Sequence, residues 1–384
     1  MRPLSIAYVV TGLETGGAEM MLLKLLAASD REHWRPSVVS LRDRGMVGDV
    51  IERLGIPVVT LSVRGSLPGP RAAWRLRRAV VMRAPALIQG WMYHGNLAAL
   101  AGRALGPGRP PVVWSIRNTV YDFSSDGWIT AGVVRLGALL SSYVASIIYN
   151  SRTGARQHAE LGYATTKAVV IPNGFDSGSF TPSQTARAAF RHRLGVGEEV
   201  VLIGRVGRYH AMKDYPGFLK AAAILTHERP GVQFVLAGQG VNRANVELDR
   251  LLAGLGLGHA VHLLGEVRPA NELMAALDIA CSSSAYGEGF PSVLGEAMAC
   301  GVPCVATDVG DSAWVVGDAG EIVPPGDPLA LAGAFRALVD VGAEARRELG
   351  AQGRARVLRE FSLQRVASQY EAVHLQVLES GAQG

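Results

Sequence analysis

The sequence predicts an α/β protein made of two doubly wound halves, each a parallel sheet covered on both faces. Three observations carry that expectation. The chain has 384 residues, more than one ordinary hydrophobic core accommodates. Short apolar runs alternate with longer segments of helical periodicity. The 46 glycines cluster after the apolar runs, where strand-to-helix turns need them, and not in low-complexity tracts.

The first half opens with a strand over residues 5–10, a Gly-rich turn and a helix over 18–28. A strand at 35–41, a helix at 47–54 and a strand at 57–61 follow, and strands at 86–89, 112–115 and 146–149 continue the series with helices between them. The second half repeats the scheme with strands at 200–206, 233–237, 261–264, 279–282 and 303–307. Its helices are expected at 215–226, 246–254, 269–277, 291–300 and 329–339. IPNGFDSGSFTPS, residues 171–183, gathers Pro, Gly, Asn and Ser and marks the hinge. A last helix over 363–378 is expected to reach back across the first domain. The domains are therefore drawn as 1–175, 176–362 and the returning segment 363–384. In sheets of this kind ligands bind at the carboxyl ends of the strands, here between the two halves.

Composition narrows the class. The chain is 48% hydrophobic and 18% charged, which describes a folded protein with disorder expected only at the tail SGAQG. MRPLSIAYVVTGLETGG reads as a buried first strand and not a secretory leader. The longest uncharged apolar stretch, residues 136–149, has 14 residues, short of the roughly 20 a membrane span needs. A cytoplasmic protein is expected. Cys281, Cys300 and Cys304 form no CxxC pair and adjoin no histidine cluster, so buried thiols are expected and a metal site is not. The net charge of +5 conceals an asymmetry. Residues 1–172 hold 20 basic and 10 acidic residues, and the remainder carries an acidic excess. Ten arginines and no acid lie between Glu52 and Asp122, which suits an anionic partner near the first half.

Four motifs carry chemistry. EGFPSVLGE, residues 288–296, sets Glu288 and Glu296 around a helix start. Pro291 suits the first helical position and Gly301 the position past the end. The N–H groups of Ser292, Val293 and Leu294 then have no intrahelical partner and, with the helix dipole, form an anion site. Each glutamate can accept hydrogen bonds from a pair of sugar hydroxyls. In GRYHAMKD, residues 207–214, Arg208 and Lys213 follow a strand and can converge on phosphates. Gly16 and Gly17, in GLETGGAE, let backbone approach a phosphate or sugar closely. WMYHGN, residues 91–96, places His94 at the end of another strand. Read alone, each motif also admits a purely structural role: a capped helix, surface cations, a tight turn, a packed histidine.

Taken in order, GGAE at 16–19, His94, IPNGFD at 171–176, GRYHAMKD, LLGEV at 263–267 and YGEGFPSVLGEAMACGVPCVATDVGD at 286–311 resemble the retaining glycosyltransferases of family 4 over essentially the whole chain. The resemblance implies the GT-B fold, two Rossmann-like domains facing across a cleft. It implies transfer of a hexosyl or N-acetylhexosaminyl group from a nucleoside diphosphate sugar to an acceptor hydroxyl. By matched position, Gly16 and Gly17 approach the donor, Arg208 and Lys213 bind its diphosphate, and Val267 meets the nucleobase. Glu288 contacts the transferred sugar beside Phe290 and Pro291, Ser292, Val293 and Leu294 offer N–H groups, Glu296 holds the ribose, and His94 lies near the reacting end of the sugar. Asp214 departs from the pattern, standing where many members have glycine.

Further expectations follow from the resemblance. With cations and a helix start to neutralise the leaving group, and no D-x-D triplet, neither a metal nor another cofactor is needed. Acceptor contacts are expected from the segment 114–126, with Arg117 and Asn118 as candidates. A basic amphipathic helix within 64–83 suits peripheral contact with an anionic leaflet, on the inner face of the membrane, and a lipid-linked acceptor. No nucleic acid partner is expected. The alternatives are a soluble small-molecule acceptor for the same chemistry, or a non-catalytic protein of the same fold. A dinucleotide-dependent epimerase or dehydrogenase is disfavoured because the chain lacks G-x-G-x-x-G after its first strand.

Overall fold

The structure, a computed structural model, describes residues 3–63, 70–106, 108–120 and 123–382. It divides into two units. Met1–Gly174 with Leu363–Gly384 form the first, and Phe175–Ser362 the second.

Seven parallel strands build the first unit: β1 Leu4–Val10, β2 Trp34–Ser40, β3 Val58–Thr60, β4 Leu87–Trp91, β5 Val112–Ile116, β6 Ser146–Tyr149 and β7 Ala168–Val170. Their order is β3-β2-β1-β4-β5-β6-β7, so the winding reverses between β1 and β4. The helices are α1 Gly17–Ala28, α2 Gly45–Arg53, α3 Pro70–Arg83, α4 Met92–Leu105, α5 Phe123–Leu140 and α6 Arg152–Glu160. In β1, Ile6, Tyr8 and Val10 join a core with Leu22, Leu26 and Ile51, whereas Val9 joins the opposite core with Val80, Ala99 and Val134. Burial on both faces is why IAYVV is an unbroken apolar run and does not alternate with polar residues.

The second unit has α7 Gln184–Leu194, α8 Tyr215–Glu228, α9 Val246–Gly254, α10 Asn271–Ala276, α11 Ser292–Ala299, α12 Ser312–Val316, α13 Pro328–Asp340 and α14 Gly342–Glu360. Its six parallel strands are β8 Leu202–Val206, β9 Gln233–Ala237, β10 Val261–Leu263, β11 Ile279–Ser282, β12 Cys304–Thr307 and β13 Gly320–Val323. They run β10-β9-β8-β11-β12-β13, reversing between β8 and β11. The last helix, α15 Leu363–Ala382, returns to the first unit, where Val366, Tyr370 and Val373 are buried in the α1–α2 core. Among the described residues no helix is long and apolar enough to cross a membrane.

Several expectations change. Pro291 is the N-cap and α11 begins at Ser292, because Pro291 has extended backbone (ψ 95°). Trp114 is not in a loop. It is a buried residue of β5, and α5 begins at Phe123, so the connection is shorter than the expected 114–126. The side chains of residues 123–128, like residues 64–69, 121–122 and 383–384, lie outside the described residues. The tail expected to be disordered is helical through Ala382.

Candidate functional site

In the second unit the reversal of winding sets β8 beside β11, with Arg205 opposite Cys281. The segments leaving their carboxyl ends are therefore neighbours. Residues 207–214 leave β8 and residues 283–291 leave β11, and the two are joined by the Ala285 N–H donating to the Met212 carbonyl at 2.9 Å.

That juncture pairs the Lys213 ammonium with the Glu288 carboxylate. Ser284 donates a second hydrogen bond to Glu288 Oε1 at 2.6 Å. The pair is largely enclosed, with 19% of the lysine and 10% of the glutamate side chain exposed. Thr307 of β12 fixes the segment from below by donating to the Ser284 carbonyl at 2.6 Å. Asp311 N–H donates to the Gly289 carbonyl at 2.9 Å. Gly310 lies so close that a Cβ there would come within 2.3 Å of the Glu288 carbonyl oxygen.

Asp214 explains the departure noted in the sequence. Its φ of +47° is in the left-handed region that favours glycine. Asp214 also does what glycine cannot: its carboxylate accepts from the Gly217 N–H at 2.9 Å and caps α8. Arg208 is exposed at the end of β8.

The start of α11 differs from expectation in one respect. The Leu294 N–H is committed to the Pro291 carbonyl at 3.2 Å and its side chain is buried. Of the three residues expected to face an anion, that leaves Ser292 and Val293 at the helix start, both half-buried. Phe290 is a core residue, stacked on Phe175 at 6.0 Å and edge-on to Trp314 and Phe361. It positions the turn from behind. Glu296 is half-buried in the second turn of α11, and Val267 is half-buried just beyond β10.

In the first unit the reversal sets β1 beside β4, with Val10 opposite Trp91. Gly16 and Gly17 begin α1 beyond β1, and His94 lies in the first turn of α4 beyond β4. A Cβ at Gly17 would meet nothing within 4 Å, whereas one at Gly16 would come within 2.3 Å of Glu19 Oε2, whose carboxylate folds back over that helix end. Burial holds the His94 imidazole below its ordinary pKa, and Arg42 pushes it the same way, which favours a neutral ring at pH 7. Arg117 and Asn118 part company. Arg117 is buried, donating to Tyr370 Oη at 2.8 Å and to the Asn173 side chain, with its guanidinium 4.8 Å from the Trp91 ring. It ties α15 to the sheet. Asn118 is exposed.

Among the described residues no three His, Cys, Asp or Glu side chains converge as a metal site would. Burial pushes the thiols of Cys281 and Cys300 up to about 12, leaving them inert near neutrality.

Residues 15–179 match the family described as Glycosyltransferase Family 4, and residues 199–340 match Glycosyl transferases group 1. The chain belongs to the family 4 glycosyltransferases. D-inositol 3-phosphate glycosyltransferase of Geodermatophilus obscurus is 34% identical over 251 residues, 62% of this chain and 53% of that protein. Phosphatidyl-myo-inositol mannosyltransferase of Mycobacterium leprae is 35% identical over 226 residues, 56% of this chain and 55% of that protein. The matched region thus spans about half the length of these curated relatives. The crystal structure of Anabaena HepE in complex with UDP shares the fold of this family member with a TM-score of 0.85, at 22% identity over 97% of this chain and 100% of that one. A HepE complex with UDP-glucose gives a TM-score of 0.79. The likeness shows the fold, GT-B.

Sequence reasoning missed three residues around Lys213 in this family 4 chain: Arg205, Ser283 and Ser284, all buried. An arginine inside the apolar run VLIGRV was the available signal for the first, since a buried strand rarely carries a cation. The two serines gave none.

Proposed function

We propose that this family member transfers a hexosyl or N-acetylhexosaminyl group from a nucleoside diphosphate sugar to an acceptor hydroxyl with retention of anomeric configuration. The observation that carries the proposal is the Lys213–Glu288 pair where the winding of the second sheet reverses. In this reading the pair sets a cation for the diphosphate against a carboxylate for sugar hydroxyls. As the glycosidic bond breaks, negative charge grows on the leaving diphosphate. Lys213, the exposed Arg208 and the N-terminus of α11 are preorganised donors for that charge. They supply what a divalent ion would otherwise provide, so the reaction is proposed to need no metal. Glu288 holds the transferred sugar, Glu296 the ribose, and Val267 borders the base. In the first unit a neutral His94, Gly16 and Gly17 stand at the corresponding reversal of winding.

UDP-glucose bound to HepE favours a UDP-sugar donor. The inositol-directed relatives favour a polyol or glycolipid acceptor. The basic first unit favours work at an anionic surface on the cytoplasmic side. Asn118 is favoured over Arg117 as an acceptor contact, because Arg117 is buried and already donates to Tyr370 and Asn173.

Thermal unfolding in the presence of UDP, GDP, UDP-glucose, UDP-N-acetylglucosamine and GDP-mannose tests the donor reading. The true donor and its nucleotide raise the melting temperature by mass action. Turnover of the stabilising donor should persist in EDTA. No shift with any of the five, or activity that disappears in EDTA and returns with Mn²⁺, contradicts the proposal.

A further inference from the structure

Arg205 lies in β8, and only 2% of it is exposed. Its partners are all neutral. Nε donates to Ser283 Oγ at 3.0 Å, Nη2 donates to the Lys213 carbonyl, and the guanidinium carbon sits 3.7 Å from the centre of the Tyr215 ring. Ser283 Oγ itself donates to the same Lys213 carbonyl at 3.2 Å. The Tyr215 hydroxyl donates to the Gly207 carbonyl, so the ring under the guanidinium also holds the start of the segment. Among the described residues Arg205 has no carboxylate within ion-pairing distance, and its buried Nη1 has no hydrogen-bond partner.

A buried cation without a counter-ion is costly, and a neutral side chain would fill a strand interior at lower cost. What Arg205 does secure is Lys213. Its fork, from β8, and Ser283, just past β11, grip the lysine carbonyl together, and on the other flank Asp214 is fixed in its left-handed conformation. The lysine backbone is thereby held on both sides, and its side chain emerges in one direction, toward Glu288. The stem stays close to the guanidinium. A methyl group built on Gly207 would lie 3.7 Å from Arg205 Nη1 and 3.8 Å from Lys213 Cε. The guanidinium and the lysine stem thus flank the same point beside Gly207.

We infer that Arg205 is a positioning residue that aims Lys213 at the donor diphosphate through the lysine carbonyl. The inference rests on the proposed role of Lys213. It requires that the two residues act as a unit, so that losing Arg205 matters only while Lys213 is present.

Calorimetric titration with UDP and GDP tests this in wild type, Arg205→Met, Lys213→Ala and the double variant. Arg205→Met should weaken nucleotide binding on the order of tenfold, the equivalent of one hydrogen bond to a charged group. In the Lys213→Ala background the same change should cost less than about twofold, a non-additivity that a merely structural role would not produce. Arg205→Lys keeps the charge without the fork and should fall between Arg205→Met and wild type. Ser283→Ala removes the other grip on the carbonyl without altering charge. It should weaken binding a few-fold, again only when Lys213 is present, and it carries the test if Arg205→Met does not fold. Fully additive effects, or Arg205→Met and Ser283→Ala both within twofold of wild type, overturn the inference. Lys213→Ala binding as well as wild type, or a wild type that binds neither nucleotide, instead sinks the reading on which the inference rests.

Discussion

Lys213 and Glu288 stand 75 positions apart in sequence and share an ion pair at the carboxyl end of the second sheet. The pair is enclosed enough that neither charge is indifferent to losing the other. It also ties two proposed roles together, because a diphosphate reaching the lysine must compete with the carboxylate for it. Glu288 is then left to the Ser284 hydroxyl and to the hydroxyls of a sugar.

Removing the lysine should therefore have two separable effects. Lys213→Ala is expected to lower unfolding free energy by about 2 kcal/mol, a partly exposed version of breaking a buried pair. Adding Glu288→Gln should restore part of that. Arg208→Ala, at an exposed site, should leave stability within about 0.5 kcal/mol. Turnover should nevertheless fall on the order of 100-fold in both single variants. Urea unfolding with donor turnover checks both effects. Equal stability of Lys213→Ala and Arg208→Ala would show that the pair contributes nothing.

Asp214 gives a prediction of the opposite kind, in which the drastic-looking change is the mild one. Asp214→Gly loses the cap on α8 but relaxes a left-handed backbone, so stability should change by less than about 0.5 kcal/mol. Asp214→Ala loses the cap and keeps the strain, costing about 2 kcal/mol. Urea midpoints of the two variants decide the matter, and a glycine variant as unstable as the alanine one would remove the strain argument.

These residues mark where sequence reading reached its limit. The alternation of strands and helices was legible because apolar runs and glycine turns are local. The α14 helix was not, because its buried positions are Arg346, Gly350, Gly353 and Val357. A Cβ at Gly350 would come within 1.9 Å of the Gly301 carbonyl oxygen, so this helix packs through glycine and shows no apolar stripe. The motif positions of Arg208, Lys213 and Glu288 were legible because their loops follow strands, and that of Glu296 because its helix follows such a loop. The partner of Glu288 was not, because the pairing depends on which strands become neighbours. Arg117 looked available in sequence and is occupied in the fold for the same reason.

The first unit holds two buried histidines that make stability depend on pH. The His158 Nδ1 donates to the Gly154 carbonyl at 2.8 Å, so its Nε2 accepts from the Tyr93 hydroxyl at 2.9 Å and the ring is neutral. The His374 Nε2 donates to Gln89 Oε1 at 2.9 Å, and its buried Nδ1 has no partner. Burial lowers their pKa values to about 4 and about 3. Both lie below the unfolded value near 6.5, so between these limits the unfolded chain binds more protons and stability falls as pH falls. Each site should contribute a slope of roughly 1 kcal/mol per pH unit below pH 6. Urea midpoints at pH 7.5, 6 and 5 should show this decline, and His374→Gln should flatten it. An unchanged slope in that variant would assign the acid sensitivity elsewhere.

The basic stretch 64–83 is described from Pro70 onward, as α3, with residues 64–69 outside the described residues. Leu76 and Val80 are buried, whereas Arg71, Trp74, Arg78 and Met82 are exposed, with the Arg78 guanidinium 5.5 Å from the Trp74 ring. An exposed tryptophan and methionine among arginines suit an anionic interface, where each cation contributes about 1 kcal/mol. Cosedimentation with phosphatidylglycerol vesicles should exceed that with phosphatidylcholine vesicles and weaken with salt. Arg71→Gln with Arg78→Gln should remove most of the difference. Equal or absent binding to both vesicle types would argue for a soluble acceptor.

Because α15 buries Val366, Tyr370 and Val373 in the core that also contains Tyr8 and Trp34, the first unit is assembled from two segments that flank the second in sequence. Synthesis is directional, and domains fold as units when their residues become available. The second unit, one continuous segment, has its full complement as soon as it leaves the ribosome. The larger segment of the first is made earlier yet waits, with one flank of its sheet uncovered, until α15 emerges. A nascent chain that stops just after residue 362 would hold a finished second unit and an unfinished first one, so translation has to pass α15 before the older half is complete.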